Sequence, residues 1–494
     1  MEIEEVINEP VQSELPTGWI NIQVKDAVLN IATTDKKIPQ KSYLDAGLYP
    51  VIDQGRSHIG GYTNDESLLV DAEPPTIVFG DHTKMVKYIS KKFAPGADGI
   101  KVLKPHSFVD AKFAYYAISH VAINIKSMGY ARHYQHLAKS NIGIPPLAEQ
   151  QHIVAKLEEL FSELDKGVEN LRTAQQQLKV YRQTLLKHAF EGKLTADWRA
   201  QNPDKLESAD VLLARAQQER KARYQQQLQD WEDDGKTGSK PKAPKALPPL
   251  TAEELIELSK LPNGWAWLKV HQLCDVVRGG SPRPAGDPKF YGGSIPFLKV
   301  ADITSKNSPY LKSFTYTITE AGLSKTRKVE PKTLLLSNSG ATLGVPKICL
   351  IPATMNDGVA AFLGLPHDDL LYHYYFWQSK TESLRNIDQG AAQPNLNTDI
   401  IKETAIPICS QEEQLIVTQK IESVLSDIDQ LEQTITHSLQ QAEALRQSIL
   451  KKAFSGQLVA QDPNDEPASV LLERIRAERA AQPKARGRKA KVLA

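Results

Sequence analysis

Residues 181–194 read YRQTLLKHAFEGKL, and residues 445–458 read LRQSILKKAFSGQL; eight of the fourteen positions are identical, against about one expected by chance from ordinary composition. Further blocks match outward from this pair, in the same order. Upstream, EQQHIV at 149–154 resembles EEQLIV at 412–417, and LPTGW at 15–19 resembles LPNGW at 261–265. Downstream, ADVLLAR at 209–215 resembles ASVLLER at 468–474. Four blocks in one order amount to an internal duplication, with a period too long for a solenoid. The offset is 246 at the Trp motif and 264 at the quoted stretch. Most of the length difference therefore lies between Trp19 and Ile144 in one half and between Trp265 and Ile406 in the other. Those two segments show little mutual similarity. The chain reads as two copies of a variable globular segment followed by a similar helical one.

The helical segments carry a seven-residue apolar period. Leu157, Leu164, Leu171, Leu178 and Leu185 mark it in the first half, and Ile421, Ile428, Ile435, Ala442 and Ile449 in the second. Leu160, Gly167, Ala174 and Tyr181 interleave in one, and Val424, Leu431, Ser438 and Leu445 in the other. More than four heptads with polar residues between them predict a coiled coil, the alternative being two ordinary amphipathic helices of a larger bundle. Pro145, Pro146 and Pro407 precede the helices, and Gly192 and Gly456 supply their stops. The expected helices are 147–192 and 408–455, with the leucines and with Ile421, Ile428, Ile435 and Ile449 as core. A helix of about 33 residues spans roughly 50 Å, comparable to one to one and a half turns of B-DNA at about 34–36 Å each. Two similar halves related by an approximate twofold axis make such a pair antiparallel.

The globular segments, 15–146 and 261–407, contain short strand-like runs punctuated by turns: TIVFGD at 76–81, MVKYIS at 85–90 and GIKVLK at 99–104, with a helical pattern at 110–122. The second segment repeats the style in IPFLKV at 295–300, TLLLSNSG at 333–340, VPKICLI at 345–351 and the aromatic-rich LLYHYYFW at 370–377. Mixed α/β (α+β) domains are expected. Several Gly-containing loops gather side chains that suit base edges (Arg, Lys, Asn, Gln) or phosphates (Ser, Thr). The candidates are His82, Thr83 and Lys84; Arg132, His133 and Gln135; Arg278, Ser281 and Arg283; Ser337, Asn338, Ser339 and Thr342; and Gln393, Asn395 and Asn397. Between the halves, 193–260 reads as a helical extension and a basic linker with Lys236, Lys240, Lys242 and Lys245; 456–494 reads as a C-terminal extension and basic tail.

Composition narrows the function classes. The 494 residues suggest about three domains by length. Lys+Arg number 60 and Asp+Glu 59, a net charge of +1, so any nucleic-acid binding rests on local charge. Cys274, Cys349 and Cys409 are scattered and form no CxxC, which suggests neither zinc nor disulfides and fits a reducing cytoplasm. The acidic opening Met-Glu-Ile-Glu-Glu does not read as a secretory signal, and no 18-residue uncharged apolar run predicts a membrane span. No phosphate loop, dinucleotide fingerprint, Asn-Pro-Pro-aromatic motif, nucleophile elbow or HExxH is present, so the expectation is a chain that is not itself an enzyme.

This layout resembles the specificity subunit of type I restriction–modification enzymes. LPTGW and LPNGW look like the openings of its two recognition units. IGIPPLAEQQHIVAKLEEL at 142–160 and AIPICSQEEQLIVTQKIE at 405–422 look like its helix starts, AFEGKL at 189–194 and AFSGQL at 453–458 like its helix ends, and AAQPNLN at 391–397 like the close of a recognition unit. The second helix start has Cys409-Ser410 where the first half has Pro146-Leu147. The resemblance implies two target-recognition domains, each reading half of a bipartite double-stranded DNA sequence, and an antiparallel coiled coil that sets the spacer. It implies no cofactor in this chain. Two modification (methyltransferase) subunits would supply S-adenosylmethionine, and restriction (translocase/endonuclease) subunits would supply ATP and magnesium chemistry. The competing expectation is a coiled-coil protein-interaction scaffold without sequence-specific DNA binding.

Overall fold

The computed structural model describes residues 15–97, 99–126, 132–236, 240, 241, 243, 248, 250–305, 308–340, 342–386 and 396–481. Gln393, Asn395 and the tail beyond 481 lie outside the described residues. The chain divides into two compact units that do not follow the order of the repeat: Met1–Thr173 joins Ile435–Ala494, and Ala174–Thr434 forms the other. Each unit therefore combines one globular segment, the start of the long helix after it, and the end of the long helix from the other half.

In the first unit the strands are β1 (Ile20–Gln23), β2 (Val28–Ile31), β3 (Tyr49–Ile52), β4 (Gly61–Thr63), β5 (Thr76–Gly80), β6 (Val86–Ile89), β7 (Ala94–Pro95), β8 (Ile100–Pro105) and β9 (Asn141–Ile144). One sheet has the order β2-β8-β5-β6, all antiparallel; a second has the order β4-β3-β7, with β3 and β7 parallel; β1 and β9 form a separate ribbon. Alternation along β5 explains the layering. Ile77 and Phe79 pack with Phe113, Ala114 and Ala117 of the helix Ala111–Asn124, while Val78 packs with Ile52 and Ile89 on the opposite face. Both faces are covered, so all five residues of TIVFG are buried.

The second unit holds β10 (Ala266–Lys269), β11 (Asp275–Arg278), β12 (Tyr291–Leu298), β13 (Tyr310–Leu311), β14 (Tyr316–Ile318), β15 (Arg327–Val329), β16 (Thr333–Ser337), β17 (Pro346–Cys349), β18 (Ala353–Met355), β19 (Val359–Leu363) and β20 (Ala405–Ile408). Its sheets, β11-β19-β16-β17-β13 and β14-β12-β18-β15, and its ribbon β10-β20, repeat the topology of the first unit with one added strand in each sheet. Leu334 and Leu336 face Tyr372, Phe376 and Trp377, and Leu335 faces Leu298 and Met355. The stretch 370–377, grouped by its sequence with the strand-like runs, belongs to a helix, Leu370–Arg385. It is the counterpart of Ala111–Asn124. Aromatic β propensity yields here to a position that must cover a sheet.

The long helices run Leu147–Phe190 and Gln411–Phe454, 44 residues each. Within the first unit, the start of one lies beside the end of the other: Arg446 pairs with Asp165 and stacks on Phe161, and Phe454 meets Phe113. Within the second unit, Arg182 pairs with Asp429 at 2.5 Å, and Arg199 reaches Glu413 at 2.6 Å. In each unit, residues late in one helix or just past it meet residues early in the other, so the pairing is antiparallel. Leu157, Leu185, Ile421, Ile428, Ile435 and Ile449 are buried, and Leu164, Leu171 and Leu178 half-buried. The interleaved Tyr181, Leu431 and Leu445 are exposed, a correction to the expected seam. Two helices in contact bury a narrower stripe than the seven-residue pattern supplies.

Structure also shifts one sequence match by a residue. Glu149 and Glu413, each buried, occupy equivalent places, as do Gln150 and Gln414, whose Nε2 atoms donate to the carbonyls of Pro145 and Cys409. EQQHIV and EEQLIV thus align at an offset of 264, the register of the heptads and of the quoted stretch. Glu149 accepts from Trp19 Nε1 at 3.1 and 3.0 Å, and Glu413 from Thr195 Oγ1 and Arg199. Burial raises the Glu149 carboxyl above its ordinary range, with the Trp19 hydrogen bond opposing. Gly192 and Gly456 both have φ of 70°. Their own amides donate to Ala189 and Ala453, and the next amides to His188 and Lys452, the Schellman arrangement. A Cβ at Gly192 would strike Pro262, and one at Gly456 would strike Pro16, so the helix end of each half closes on the LPxGW motif of the other.

Candidate nucleic-acid interface

In the first unit the candidate loops converge on Asp81, the residue after β5. Its amide donates to the Gly99 carbonyl at 2.6 Å. Its carbonyl accepts from the His133 amide and from His133 Nδ1, both at 2.9 Å, which places the imidazole proton on Nδ1. Its carboxylate accepts from the Tyr134 amide at 2.7 Å. Beside it, Gln54 Oε1 accepts from the His82 amide at 3.3 Å, and the Gln54 carbonyl accepts from Thr83 Oγ1 at 2.8 Å. The structure thus brings together His82, Thr83, Arg132, His133 and Gln135.

Their roles differ. Thr83, Arg132 and Gln135 are exposed, and His82 is half-buried. His133 is 1% exposed and fastens two loops together, so its place as a DNA-contact candidate is corrected to a structural one. Lys84, with φ of 59°, donates its ammonium to the Ile125 carbonyl at 2.9 Å. It is tied to the end of the helix Ala111–Asn124.

The second unit repeats the frame with different side chains. The Asn338 amide donates to the Gly358 carbonyl at 2.9 Å, and the Asn338 carbonyl accepts from the Leu396 amide at 2.7 Å. These bonds correspond to Asp81–Gly99 and His133–Asp81. Asn338 is fully buried; its side-chain nitrogen, in the orientation that satisfies it, faces the carbonyls of Gly358 at 2.7 Å and Asp357 at 3.3 Å. Ser337 is equally buried, donating to the Thr342 carbonyl at 2.6 Å and accepting from the Val345 amide at 2.9 Å. Ser337 and Asn338 are therefore corrected to loop-shaping residues. Ser339 is half-buried beside Gly358, Thr342 is exposed, and Asn397 caps the helix Thr398–Glu403 through the Asp399 amide at 3.1 Å.

Asp357 gathers the remaining candidates. Its carbonyl accepts from Arg278 Nε at 2.5 Å, and its carboxylate from Ser281 Oγ at 2.6 Å, with Arg283 Nη2 at 3.9 Å. Arg327 Nε donates to the Arg278 carbonyl at 3.2 Å. Arg278 and Arg283 are exposed, which leaves further guanidinium donors free of the backbone frame. Sequence reasoning missed Asp357 and Gln54, along with the exposed Arg56 and His58 on the stretch DQGRSHIGG at 53–61. That stretch has the same polar, Gly-rich composition as the loops singled out. Among the described residues, no three His, Cys, Asp or Glu side chains are grouped to hold a metal ion, and no helix is long and apolar enough to cross a membrane.

A family model described as the type I restriction modification DNA specificity domain matches residues 16–171 and again 262–444, well over half of the chain. The chain belongs to this DNA specificity family. The specificity subunit of the type I restriction enzyme EcoDI from Escherichia coli is 23% identical over 490 residues, covering 95% of this chain and 97% of that one. The EcoKI specificity subunit of Escherichia coli strain K12 is 24% identical over 511 residues, again covering 95% and 97%. In fold, the HsdS subunit from Thermoanaerobacter tengcongensis matches with a TM-score of 0.51 at 16% identity over 91% of this chain and 99% of that one. A chain solved in a study of complex assembly and conformational transition of the type I R-M system matches with a TM-score of 0.59 at 16% identity, over 90% and 100%. The two matched segments contain the two loop frames, one in each unit of this specificity subunit.

Proposed function

We propose that this specificity subunit reads a bipartite double-stranded DNA target, one half with the loop tips of each unit. The observation that carries the reading is the repeated frame, Asp81–Gly99–His133 in one unit and Asn338–Gly358–Leu396 in the other. Main-chain hydrogen bonds hold the loops, and different exposed side chains stand on them. In the first unit the readers are Thr83, Arg132 and Gln135; in the second they are Arg278 and Arg283, with Ser281 and Asp357 orienting them. Arginine paired through both donors to guanine O6 and N7, and glutamine paired to adenine, are the contacts these residues favour. Gln393, Asn395 and Asn397 are further candidates at the close of the second unit.

The long helices, read as an antiparallel coiled coil with the expected leucine and isoleucine core, set the number of unread base pairs and dock two modification subunits. Those subunits bring S-adenosylmethionine and the methyl transfer, and restriction subunits bring ATP-driven, magnesium-dependent cleavage, in the cytoplasm. This chain contributes readout and positioning rather than catalysis. Purified full-length subunit, combined with its modification subunits and S-adenosylmethionine, should methylate a random-sequence duplex pool at a split consensus. The subunit alone should show no turnover. Methylation without any split consensus would contradict the reading.

A further inference from the structure

Two buried lysines occupy one equivalent position in the two units. Lys87 lies in β6 and Lys347 in β17, each 4% exposed. Each strand is the second of the hairpin that carries the frame residue Asp81 or Asn338. In register, Lys87 faces Val78 and Lys347 faces Leu335, and both facing residues stand three positions before the frame residue. VKYI and PKIC share only the lysine.

Each ammonium donates to main-chain oxygen in the connection between corresponding strands. Lys87 Nζ donates to the carbonyls of Asp53 at 2.8 Å and Ser57 at 2.6 Å, with the Asp53 carboxylate at 3.5 Å. Lys347 Nζ donates to the Ser308 carbonyl. Asp53 and Ser57 lie between β3 and β4, and Ser308 lies in the longer connection from β12 to β14, just before the added strand β13. These strand pairs correspond: β3 and β12 pair antiparallel with β4 and β14, and parallel with β7 and β18. Burial pushes both ammonium groups below the usual lysine range, with Asp53 opposing at Lys87. A strand that only needed filling would carry an apolar residue there, because a buried ammonium is costly unless its donors are used. The loop held by Lys87 supplies Gln54, which braces His82 and Thr83, and exposes Arg56, Ser57 and His58.

We propose that Lys87 and Lys347 are positioning residues for DNA reading, each clamping the loop between corresponding strands so that it and the adjoining tip meet DNA in one fixed geometry. The inference rests on the split-target reading. It adds that fidelity in each half depends on one buried lysine, and that the loop 53–60 is a contact element of the first half.

The test uses the full-length subunit assembled with its modification subunits, S-adenosylmethionine and a random-sequence duplex pool, comparing wild type with Lys87→Met, Lys347→Met and Arg56→Ala. Thermal unfolding of each variant is recorded alongside. Lys87→Met should relax discrimination about tenfold at positions of one half-site and leave the other half unchanged, within the range one mismatched base pair commands. Lys347→Met should do the reverse. A lowered melting temperature with both half-sites read as in wild type would overturn the clamp. Should Lys87→Met fail to fold, Arg56→Ala, exposed on the held loop, decides for the first unit. A threefold or greater loss of affinity or a relaxed first half-site supports the inference, and an unchanged consensus and affinity overturn it. A wild-type complex lacking any split consensus would sink the reading itself, a result distinct from intact wild-type readout with indifferent lysine variants.

Discussion

At the scale of single residues, the two units differ in what their buried polar groups do to stability. Glu413 is fully buried against Arg199 and Thr195, so Glu413→Ala leaves a largely buried guanidinium without its carboxylate. Removing one partner of such a pair costs about 3–5 kcal/mol, which chemical denaturation should register. Glu149→Ala leaves only the Trp19 indole and the Gln461 amide short of an acceptor, and should cost about 1–3 kcal/mol. His373, buried in the helix Leu370–Arg385, has its pKa pushed down to about 4 by burial. An unfolded histidine titrates near 6.5, so below that pH the unfolded chain takes up a proton that the folded one refuses. The stability His373 leaves intact at neutral pH is therefore lost as pH falls from about 6.5 towards 4, by at most about 3 kcal/mol. Asp369, raised to about 6 by burial and by Glu219, acts in the opposite sense, its contribution growing as pH falls through 6. His373→Leu should flatten the acid side of the stability profile measured by urea unfolding at pH 7 and pH 5. Equal losses in wild type and variant would count against this assignment.

At the scale of elements, the heptads of leucine and isoleucine and the glycine stops were legible because they are side-chain and dihedral requirements. The likeness of the two globular segments was not. Asp81 and Asn338, Gly99 and Gly358, and His133 and Leu396 are joined through main-chain atoms, which almost any side chain can supply. Strand cores likewise accept any apolar residue of fitting volume. The candidate loops were legible as polar, Gly-rich stretches, yet burial could not be read from them. His133, Ser337 and Asn338 look like readers in sequence and are fasteners in the fold. If the long helices set the spacer, four residues added to each after Thr173 and Thr434 lengthen the pair by about 6 Å. Methylated sites should then show a spacer longer by one or two base pairs, or methylation should fail, with both half-sites unchanged. Altered half-sites would contradict the division of labour between helices and loops.

At the scale of the whole molecule, the length prior of three domains gives way to two units of matching topology, each closed by the helix end of the other half. A net charge of +1 is compatible with DNA readout because cations such as Arg278, Arg283, Arg132 and Arg56 stand exposed at loops, while acidic residues such as Asp429, Glu432 and Asp165 lie along the helices. Each unit should read its own half of the target. Exchanging residues 15–146 for the corresponding segment of a relative with a different target, and sequencing the methylome of cells that carry the chimaera, tests it directly. The prediction is that one half-site changes to that of the donor while the other half-site is retained. Change in both half-sites, or in neither, would contradict it.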